Sequence, residues 1–483
     1  MPIERSRFAV TPVVAAMAAL ALVLAVTATA YGYHRDELYF RMLDPVWGYV
    51  DQPPLTPLIA TAAAAIFGDT VVAGRIMSGL FAIASVVILT LITREVGGGR
   101  LAQALTAWGM AGASMTLAFG HVLLTASLDL VIWPAALLFA LRATLRDDGR
   151  WWFAVGAIVG ISALNKLLIV TLLVGIATGL AVLGPRRWLR SGWLWGAVAL
   201  CAVLALPSIL YQALNGWPQL AMGAALGENN ADEVRIMMWP FLILMVGPVL
   251  AIWWVVALIS LFCRPEWRPI RWISVTFAVM VVFVFAAGAQ FYYTFGVLSV
   301  LVAIGSASVA DWARTRGRRT FLFAAIAINS IGCALTSLPL LPVEAFGASG
   351  LAAVNASSAD QVGWERYVEQ IETAVGDSEA DAIITANYGE AGALDRFGVD
   401  LPPITSGHNA LWDAGPPPRD ATTVVVVGDF GPALEARFET CTVVGVLENG
   451  VGVENEEQGV PIRVCTNPVA SWVELWPQFR HLD

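Results

Sequence analysis

The chain has 483 residues, of which 58% are hydrophobic and 13% are charged, and its mean hydropathy is +0.69. Ordinary soluble domains carry about 25% charged residues, so this composition excludes an ordinary soluble protein and indicates a membrane protein with many spans. The formal net charge of −9 says little by itself because the charges are segregated along the chain. Among the 28 basic residues, only Lys166 is a lysine.

Hydrophobic runs of roughly 15–25 residues, which suit bilayer-spanning helices, recur over residues 1–342. They lie near residues 10–31, 71–92, 102–120, 124–143, 152–165, 167–184, 192–213, 237–261, 272–289, 294–311 and 321–341. We therefore predict about 11 transmembrane helices, and up to about 13. The first run has no convincing cleavage site and is expected to remain as an anchor.

The arginines are distributed unequally between alternate loops. One set of loops carries most of them, and the other set contains only Arg35, Arg41, Arg75, Lys166 and Arg235. Because positively charged loops stay in the cytoplasm, the N-terminus is predicted to be cytoplasmic and the first loop to lie outside. An odd number of spans places the C-terminal region outside as well.

The first outer loop, residues 32–70, carries two adjacent carboxylates, Asp36 and Glu37, where a membrane helix meets water. If residues 34–44 form an interfacial helix, Asp36 shares a face with Tyr39 while Glu37 points about 100° away. The two carboxylates are then expected to have different roles, one as a base and the other in binding or orientation. The alternative is that Asp36 only caps the helix.

Three further features of the membrane region are notable. The proline-rich stretch 52–57 is interpreted either as a rigid elbow that starts a second interfacial helix or as a plain linker. Asp129 enters a span from the outer side, where an unpaired carboxylate costs about 3 kcal/mol, and it either serves a site or pairs with Arg75 or Arg41. Lys166 lies at an outer turn, either as a phosphate partner or as a lysine that snorkels to the interface.

Residues 343–483 are polar, acidic and rich in glycine and proline, which indicates a separate α/β domain. Strands are predicted at Ala382–Thr385 and Thr422–Gly428, and an amphipathic helix at Trp364–Ala374. Cys441 and Cys465 would lie outside the cytoplasm, where they are expected to form a disulfide. The outer loop 214–236 is predicted to close over a bound donor.

Carboxylates and cations thus gather at one membrane face. Carboxylates suit the deprotonation of a hydroxyl, and cations suit a lipid phosphate, whereas a nucleotide-sugar site is expected on the cytoplasmic side. The combination favours transfer from a lipid-phosphate carrier to an acceptor outside the cytoplasm. A transporter or flippase of lipid-linked sugars is the alternative, which predicts inverted repeats or broken helices near mid-membrane. A structural subunit would leave the acidic loop unexplained.

Several motifs, taken in order, resemble those of a known superfamily. They are Asp36-Glu37-x-Tyr39, Tyr49-Val50-Asp51-Gln52-Pro53-Pro54-Leu55, Gly74-Arg75-Ile76-Met77-Ser78, Ser127-Leu128-Asp129, Leu164-Asn165-Lys166 and Gln290-Phe291-Tyr292-Tyr293. The chain resembles the bacterial branch of the protein O-mannosyltransferase and aminoarabinose-transferase superfamily, polyprenyl-phosphate-dependent glycosyltransferases of the GT-C fold. Two C-terminal stretches, 387–393 and 406–412, resemble an outer domain found in one bacterial subgroup. Gln290 departs from the pattern, since the family often has a basic residue there.

The resemblance implies a polytopic GT-C membrane domain and an inverting transfer from a polyprenyl-phosphate sugar to a protein, lipid or glycan acceptor outside the cell membrane. Asp36 would bind or deprotonate the acceptor hydroxyl, and Glu37 would be the second carboxylate of the catalytic loop. The residues expected to bind substrate are Tyr39, Arg75, Asp129, Lys166, Tyr292 and Tyr293, with Lys166 and Arg75 facing the leaving phosphate. Membrane lipid is an expected partner, and nucleic acid is not.

Metal dependence differs within the superfamily, since some members use a divalent cation and others do not. This chain has only four histidines, His34, His121, His408 and His481. We therefore predict no metal site.

Overall fold

The computed structural model describes residues 3–431 and 433–482, apart from the side chains of residues 229 and 230. The chain divides into two compact units. The helical unit comprises Met1–Ala28, Gln52–Thr56 and Arg75–Ser337, and the α/β unit comprises Thr29–Asp51, Pro57–Gly74 and Leu338–Asp483. Most of the first loop therefore belongs to the same unit as the C-terminal region.

The secondary structure is mainly helical. The α-helices are, in chain order, α1 (Val10–Thr27), α2 (Arg35–Met42), α3 (Leu55–Phe67), α4 (Val71–Glu95), α5 (Arg100–Ala111), α6 (Ser114–His121), α7 (Thr125–Arg146), α8 (Trp151–Ser162), α9 (Ile169–Val182), α10 (Gly192–Leu214), α11 (Pro218–Leu244), α12 (Pro248–Cys263), α13 (Trp272–Ala287), α14 (Phe295–Trp312), α15 (Arg316–Leu335), α16 (Val343–Ser349), α17 (Ala356–Ala359), α18 (Trp364–Ser378), α19 (Tyr388–Phe397) and α20 (Trp472–Leu475). The strands are β1 (Ala382–Thr385), β2 (Ile404–Ser406), β3 (Thr423–Val427), β4 (Phe438–Val446) and β5 (Pro461–Pro468).

Within the described residues, six helices are long and apolar enough to cross a membrane, namely α1, α4, α7, α10, α14 with its preceding turn, and α15. The end of α11 and α12 form a pair bent by 94° that would make a seventh, and α3, α8, α9 and α13 are shorter apolar helices. The multi-pass helical class is confirmed, with fewer full-length spans than the 11 predicted. The predicted span 102–120 is divided between α5 and α6, because hydropathy does not register where the backbone breaks. The predicted spans 152–165 and 167–184 correspond to the two short helices α8 and α9.

The segment 214–236 is not the loop predicted from its composition, but forms the end of α10 and most of α11. Pro218 is the first residue of α11, where its missing N–H costs nothing and its fixed φ suits a helix start. The following residues 220–226 are rich in alanine and leucine, which favour helix. The acidic composition of the segment favours a loop, but these local signals for a helix decide the structure.

Glycines allow close helix contacts in the helical unit. A Cβ added to Gly305 of α14 would lie 2.0 Å from the carbonyl oxygen of Trp253 in α12. A Cβ added to Gly179 of α9 would lie 2.4 Å from the carbonyl oxygen of Trp272 in α13. Small residues let membrane helices approach to backbone contact, so these positions set the packing of both helix pairs.

A buried carboxylate ends α4. Glu95 is 1% exposed, and its oxygens lie 2.6 Å from both Arg5 Nε and Arg146 Nη2 and 3.6 Å from Arg142 Nε. The arginines come from the N-terminal segment and from α7. The ion pairs therefore join three parts of the chain at one end of the helical unit.

The α/β unit contains a five-stranded sheet in the order β2-β1-β3-β5-β4. β1 is parallel to β2 and β3, whereas β5 is antiparallel to β3 and β4. The strands predicted at 382–385 and 422–428 are confirmed as β1 and β3, and the predicted helix at 364–374 is the first part of α18. Cys441 and Cys465 are opposite residues of β4 and β5 and form the predicted disulfide.

The helix α2 from the first loop packs directly on α19. A Cβ added to Gly392 of α19 would lie 2.7 Å from Leu38 Cβ, and Leu38 is fully buried. The Trp364 indole N–H, at the start of α18, donates to the Tyr33 carbonyl oxygen at 3.1 Å. The loop that carries Asp36 is thus built into the core of the α/β unit.

Candidate functional site

The helix α2 is closed at its N-terminus by a reciprocal pair of hydrogen bonds. His34 Nδ1 accepts the Asp36 N–H at 3.2 Å, and Glu37 Oε2 accepts the His34 N–H at 2.9 Å. This is a capping box, which satisfies backbone donors that a helix start leaves without partners. The capping carboxylate is therefore the buried Glu37 and not Asp36, for which capping was the alternative to a role in a site.

Asp36 is the more accessible carboxylate, with 28% of its side chain exposed. Its Oδ1 accepts a hydrogen bond from the Tyr388 hydroxyl at 2.9 Å, and His34 Nδ1 lies 4.0 Å from the same oxygen. Tyr388 is the first residue of α19. A partly exposed carboxylate with one oxygen held by a hydroxyl is suited to accept a proton from a bound hydroxyl group.

Tyr39 lies inside the α/β unit and is 2% exposed. Its ring stacks on the Tyr388 ring with centroids 4.6 Å apart, and its hydroxyl oxygen accepts the Ala410 N–H at 3.3 Å. Burial, followed by the charge of Asp51, raises the pKa of Tyr39 well above its usual value. The motif resemblance predicts that Tyr39 binds substrate, and in the structure its ring contacts Tyr388 and its hydroxyl contacts the Ala410 backbone.

Arg35 lies among buried acidic groups that sequence reasoning did not bring together. It forms an ion pair with Glu456, and its guanidinium lies 4.9 Å from the Tyr388 ring centroid. Burial raises the pKa of Asp360 to about 8, although Arg35 acts to lower it. Burial also raises the pKa of Glu390 to about 8. At neutral pH these two carboxyl groups are therefore largely protonated.

Lys166 lies in the turn between α8 and α9 and points at an aromatic pair. Its Nζ is 4.5 Å from the Tyr293 ring centroid, 5.5 Å from that of Tyr292, and 3.5 Å from Thr125 Oγ1. A cation over aromatic faces is held by about 0.5–2 kcal/mol. The structure thus brings together three predicted site residues, Lys166, Tyr292 and Tyr293.

Asp129 belongs to the same cluster of side chains. Its Oδ1 lies 3.5 Å from Asn165 Nδ2, and it interacts with the charge of Lys166. Together with Phe119, Trp133 and Tyr292 it lines a small cavity of the helical unit. An ammonium and a carboxylate beside a cavity can bind both a phosphate and a hydroxyl-rich group.

The proline-rich elbow supports this cluster. Thr56 Oγ1 donates to Asn165 Oδ1 at 2.5 Å, and the Leu55 N–H donates to the Leu164 carbonyl at 2.9 Å. The segment leads into α3, as expected for an elbow that starts a helix. The contacts also hold the Lys166 turn in place.

The two arginines considered as partners of Asp129 make other contacts. Arg75 is 5% exposed, donates to the Ala28 carbonyl at 2.8 Å and lies 3.4 Å from His121 Nε2. Arg41 pairs with Asp69 and Asp395. The contacts of Arg75 join α4 to the end of α1 and to α6, so they give it a structural role in addition to the predicted role toward phosphate.

A divalent cation has no evident set of ligands in the described part of the chain. Over residues 3–431 and 433–482, no group of three or more histidine, cysteine or acidic side chains has an arrangement that could hold a metal ion.

The residues that sequence reasoning missed are mostly in the C-terminal region. Tyr388 and His408 fall within the stretches 387–393 and 406–412, to which the motif resemblance assigns no role. The sequence feature that could have identified them is an aromatic or imidazole side chain next to a glycine. Asp360 and Glu457 have no such signal, because acidic residues are common throughout that region.

The family model for dolichyl-phosphate-mannose-protein mannosyltransferases matches residues 51–211. No curated protein sequence matches the chain significantly. Among solved structures, ArnT from Cupriavidus metallidurans bound to undecaprenyl phosphate is similar, with 14% identity, 93% of this chain and 97% of that chain covered, and a TM-score of 0.57. The Archaeoglobus fulgidus oligosaccharyltransferase in the apo form shares 12% identity over 86% of this chain and 69% of that chain, with a TM-score of 0.50.

These proteins share the fold at low sequence identity, so the likeness in structure concerns the arrangement of helices. The matched segment 51–211 contains the elbow, Arg75, Asp129 and Lys166. Both the fold and the family match over this segment are consistent with the resemblance that the order of the motifs suggests. The chain therefore has the fold of these membrane proteins, and its segment 51–211 matches the mannosyltransferase family model.

Proposed function

We propose that this protein transfers a sugar from a polyprenyl-phosphate carrier to an acceptor hydroxyl on the outer face of the cell membrane, with inversion at the anomeric carbon. The observation that carries the proposal is the Lys166 ammonium, which lies over Tyr292 and Tyr293 beside Asp129. The fold, the family match and the undecaprenyl phosphate bound by ArnT support a lipid-phosphate donor.

Lys166 is the residue that we assign to binding the phosphate of the sugar donor. As the bond between sugar and phosphate breaks, negative charge grows on the phosphate oxygens, and a fixed ammonium stabilises that charge more in the transition state than in the bound donor. The leaving phosphate is already a weak base, so the reaction needs no strong general acid. Asp129 is suited to bind sugar hydroxyls or to orient Lys166.

Asp36 is the residue that we assign to activating the acceptor hydroxyl. A single displacement with inversion requires one base for the attacking hydroxyl, and Asp36 is partly exposed whereas Glu37 is committed to the helix cap. The attacking oxygen forms its bond to the anomeric carbon as the bond to the lipid phosphate breaks. The hydroxyl proton moves to the Asp36 carboxylate. The acceptor class remains a protein, a lipid or a glycan.

The outer location follows from the arginine distribution. The loops predicted to be cytoplasmic carry most of the basic residues, whereas the loop with Asp36 and the turn with Lys166 belong to the other set. A lipid-linked sugar that reacts outside the cytoplasm needs no nucleotide at the site. A cysteine placed at Asp44 and probed with a membrane-impermeant thiol reagent would report the side of this loop.

The direct test uses purified protein in lipid nanodiscs with a panel of polyprenyl-phosphate sugars and candidate acceptors. Asp36→Asn should lower the transfer rate by about 10³-fold, because the base is lost. Asp44→Asn, an exposed carboxylate of the same loop, is the matched control and should retain full activity. Full transfer by Asp36→Asn would contradict the assignment of Asp36 as base.

Because of the bend between α11 and α12, transport of the lipid-linked sugar is the second candidate function. The two helices meet at 94°, and Gly247 at the break has φ 83°. Broken helices are typical of transporters. In acceptor-free proteoliposomes, a flippase would move the lipid-linked sugar between leaflets, whereas the enzyme proposed above would leave its distribution unchanged.

A further inference from the structure

We propose that Tyr388, which comes from the C-terminal region, is a positioning residue that fixes the Asp36 carboxylate for catalysis. The C-terminal region would then complete the catalytic apparatus in addition to any binding role. This inference rests on the proposed role of Asp36 as base and extends it to a residue 352 positions away in the chain.

The contact itself has a defined direction. The Tyr388 hydroxyl donates to Asp36 Oδ1 at 2.9 Å. Burial, followed by the negative charge of Asp36, raises the pKa of Tyr388 well above its usual value. The phenol is therefore protonated over the whole working pH range and remains a donor. A hydrogen bond to a charged carboxylate is about twice as strong as one between neutral groups.

The Tyr388 ring has little freedom to move. It is stacked between Tyr39, with centroids 4.6 Å apart, and His408, with centroids 4.8 Å apart. His408 stacks in turn on His481 at 4.8 Å. The Tyr388 backbone N–H donates to His408 Nδ1 at 3.1 Å. The stack holds the ring in one orientation, so the hydroxyl is fixed before any substrate binds.

The two helices that carry the pair are also locked in register. Gly392 leaves room for Leu38 only because it lacks a Cβ, and a Cβ at Gly389 would lie 3.1 Å from Arg35 Cβ. At the far end of the contact, Arg41 Nη1 lies 2.5 Å from Asp395 Oδ2. A shift of either helix would break these contacts. The distance between Tyr388 and Asp36 is therefore set by the packing of the whole helix pair.

A fixed carboxylate matters because a base must meet its proton at hydrogen-bonding distance and in line. Without the hydroxyl, the Asp36 side chain would sample other rotamers, and small misplacements cost up to about 100-fold in rate. The other ionisable groups near Asp36 are His34, whose Nδ1 lies 4.0 Å from Oδ1, and Asp360.

Tyr388→Phe removes the hydroxyl and keeps the aromatic stack, so it separates positioning from packing. We expect kcat to fall by about 10- to 100-fold with little change in the KM for the donor. We also expect the Tm of the purified variant to stay close to that of the wild type, because the stacked ring remains. A purely structural role would instead lower the Tm together with the activity.

Tyr367→Phe is the matched control. Tyr367 is buried in the same unit, and its hydroxyl bonds to Asn455 and Asn449. We expect it to lower thermal stability without lowering the kcat of the folded protein.

The outcomes separate this inference from the proposed function. If wild-type protein transfers no sugar from any donor, or if Asp36→Asn retains full activity, the proposed function fails. If Asp36→Asn is inactive while Tyr388→Phe keeps the wild-type kcat, the function stands and the positioning role is overturned. The positioning role is likewise overturned if Tyr388→Phe and Tyr367→Phe lower kcat equally.

Discussion

Asp36 and Glu37 are adjacent in the chain, yet their neighbours give them different chemistry. Glu37 Oε2 closes the capping box with His34, and Asp36 Oδ1 takes the Tyr388 hydroxyl. Helical spacing predicts that the two differ, because neighbouring positions on a helix point about 100° apart. Only the hydrogen-bond partners identify which of the two caps the helix.

Lys166 allows a second test on a single residue. Lys166→Ala should raise the apparent KM for the polyprenyl-phosphate donor by about tenfold or more, because the phosphate loses a charge-assisted partner. The measurement is a donor titration in nanodiscs at saturating acceptor. Arg190→Ala, an exposed cation of the same unit, should leave the KM unchanged. An unaltered KM in Lys166→Ala would show that this lysine is an interfacial anchor and does not bind the donor phosphate.

Backbone breaks and helix caps determine where the helices begin and end, which hydropathy alone does not predict. The apolar run 102–120 forms two helices, α5 and α6, whereas the runs 152–165 and 167–184 form α8 and α9 as predicted. The turn between α8 and α9 carries Lys166. The acidic segment 214–236 is helical because Pro218 starts α11 and an alanine-rich stretch follows it. In both cases local signals at a few residues overrule the average composition.

The ion pairs at the end of α4 lead to a prediction about stability. Glu95→Gln removes the charge that three partly exposed arginines share, and the loss of charge-assisted hydrogen bonds to them costs about 3 kcal/mol. We expect the Tm of the purified protein to fall by roughly 5 °C or more, measured by thermal unfolding in detergent. Glu266→Gln, at an exposed pair with Arg264, should shift the Tm by much less. Equal shifts in the two variants would show that Glu95 contributes no more than a surface charge.

Across the whole molecule, the chain alternates between its two units. It leaves the helical unit after Ala28, builds α2 into the α/β unit, and completes that unit only after Ser337. Segments far apart in sequence therefore share one core, in which Leu38, Trp364 and Val425 are all buried. The α/β unit is accordingly a product of both ends of the chain, and its stability depends on both.

The buried carboxyl groups of this unit make its stability depend on pH. The pKa of Asp360 is about 8 in the folded protein and 3.8 as a free side chain. Between these values the folded state keeps a proton that the unfolded state has released, so stability falls as pH rises from about 4 to 8 and then levels off. Asp360→Asn mimics the protonated form and should reduce the loss of Tm between pH 5 and pH 8.5 by roughly 3 °C or more.

The comparison is made by thermal unfolding at both pH values. Asp413→Asn, at an exposed carboxylate of the same unit, should keep the wild-type dependence on pH. A wild-type Tm that does not fall between pH 5 and pH 8.5 would contradict the buried, protonated state of Asp360.

Properties that depend on neighbouring residues could be predicted from the amino-acid sequence alone. These are the multi-pass helical class, the strands β1 and β3, and the helix start after the elbow. Hydropathy and propensity are local quantities, so they can be read along the chain. The folded structure was needed to locate the break in the apolar run 102–120, the carboxylate that caps α2, the grouping of Lys166 with Tyr292 and Tyr293, and the contact of Tyr388 with Asp36. Such contacts join residues hundreds of positions apart, and they form only because packing α2 against α19 brings the two side chains together.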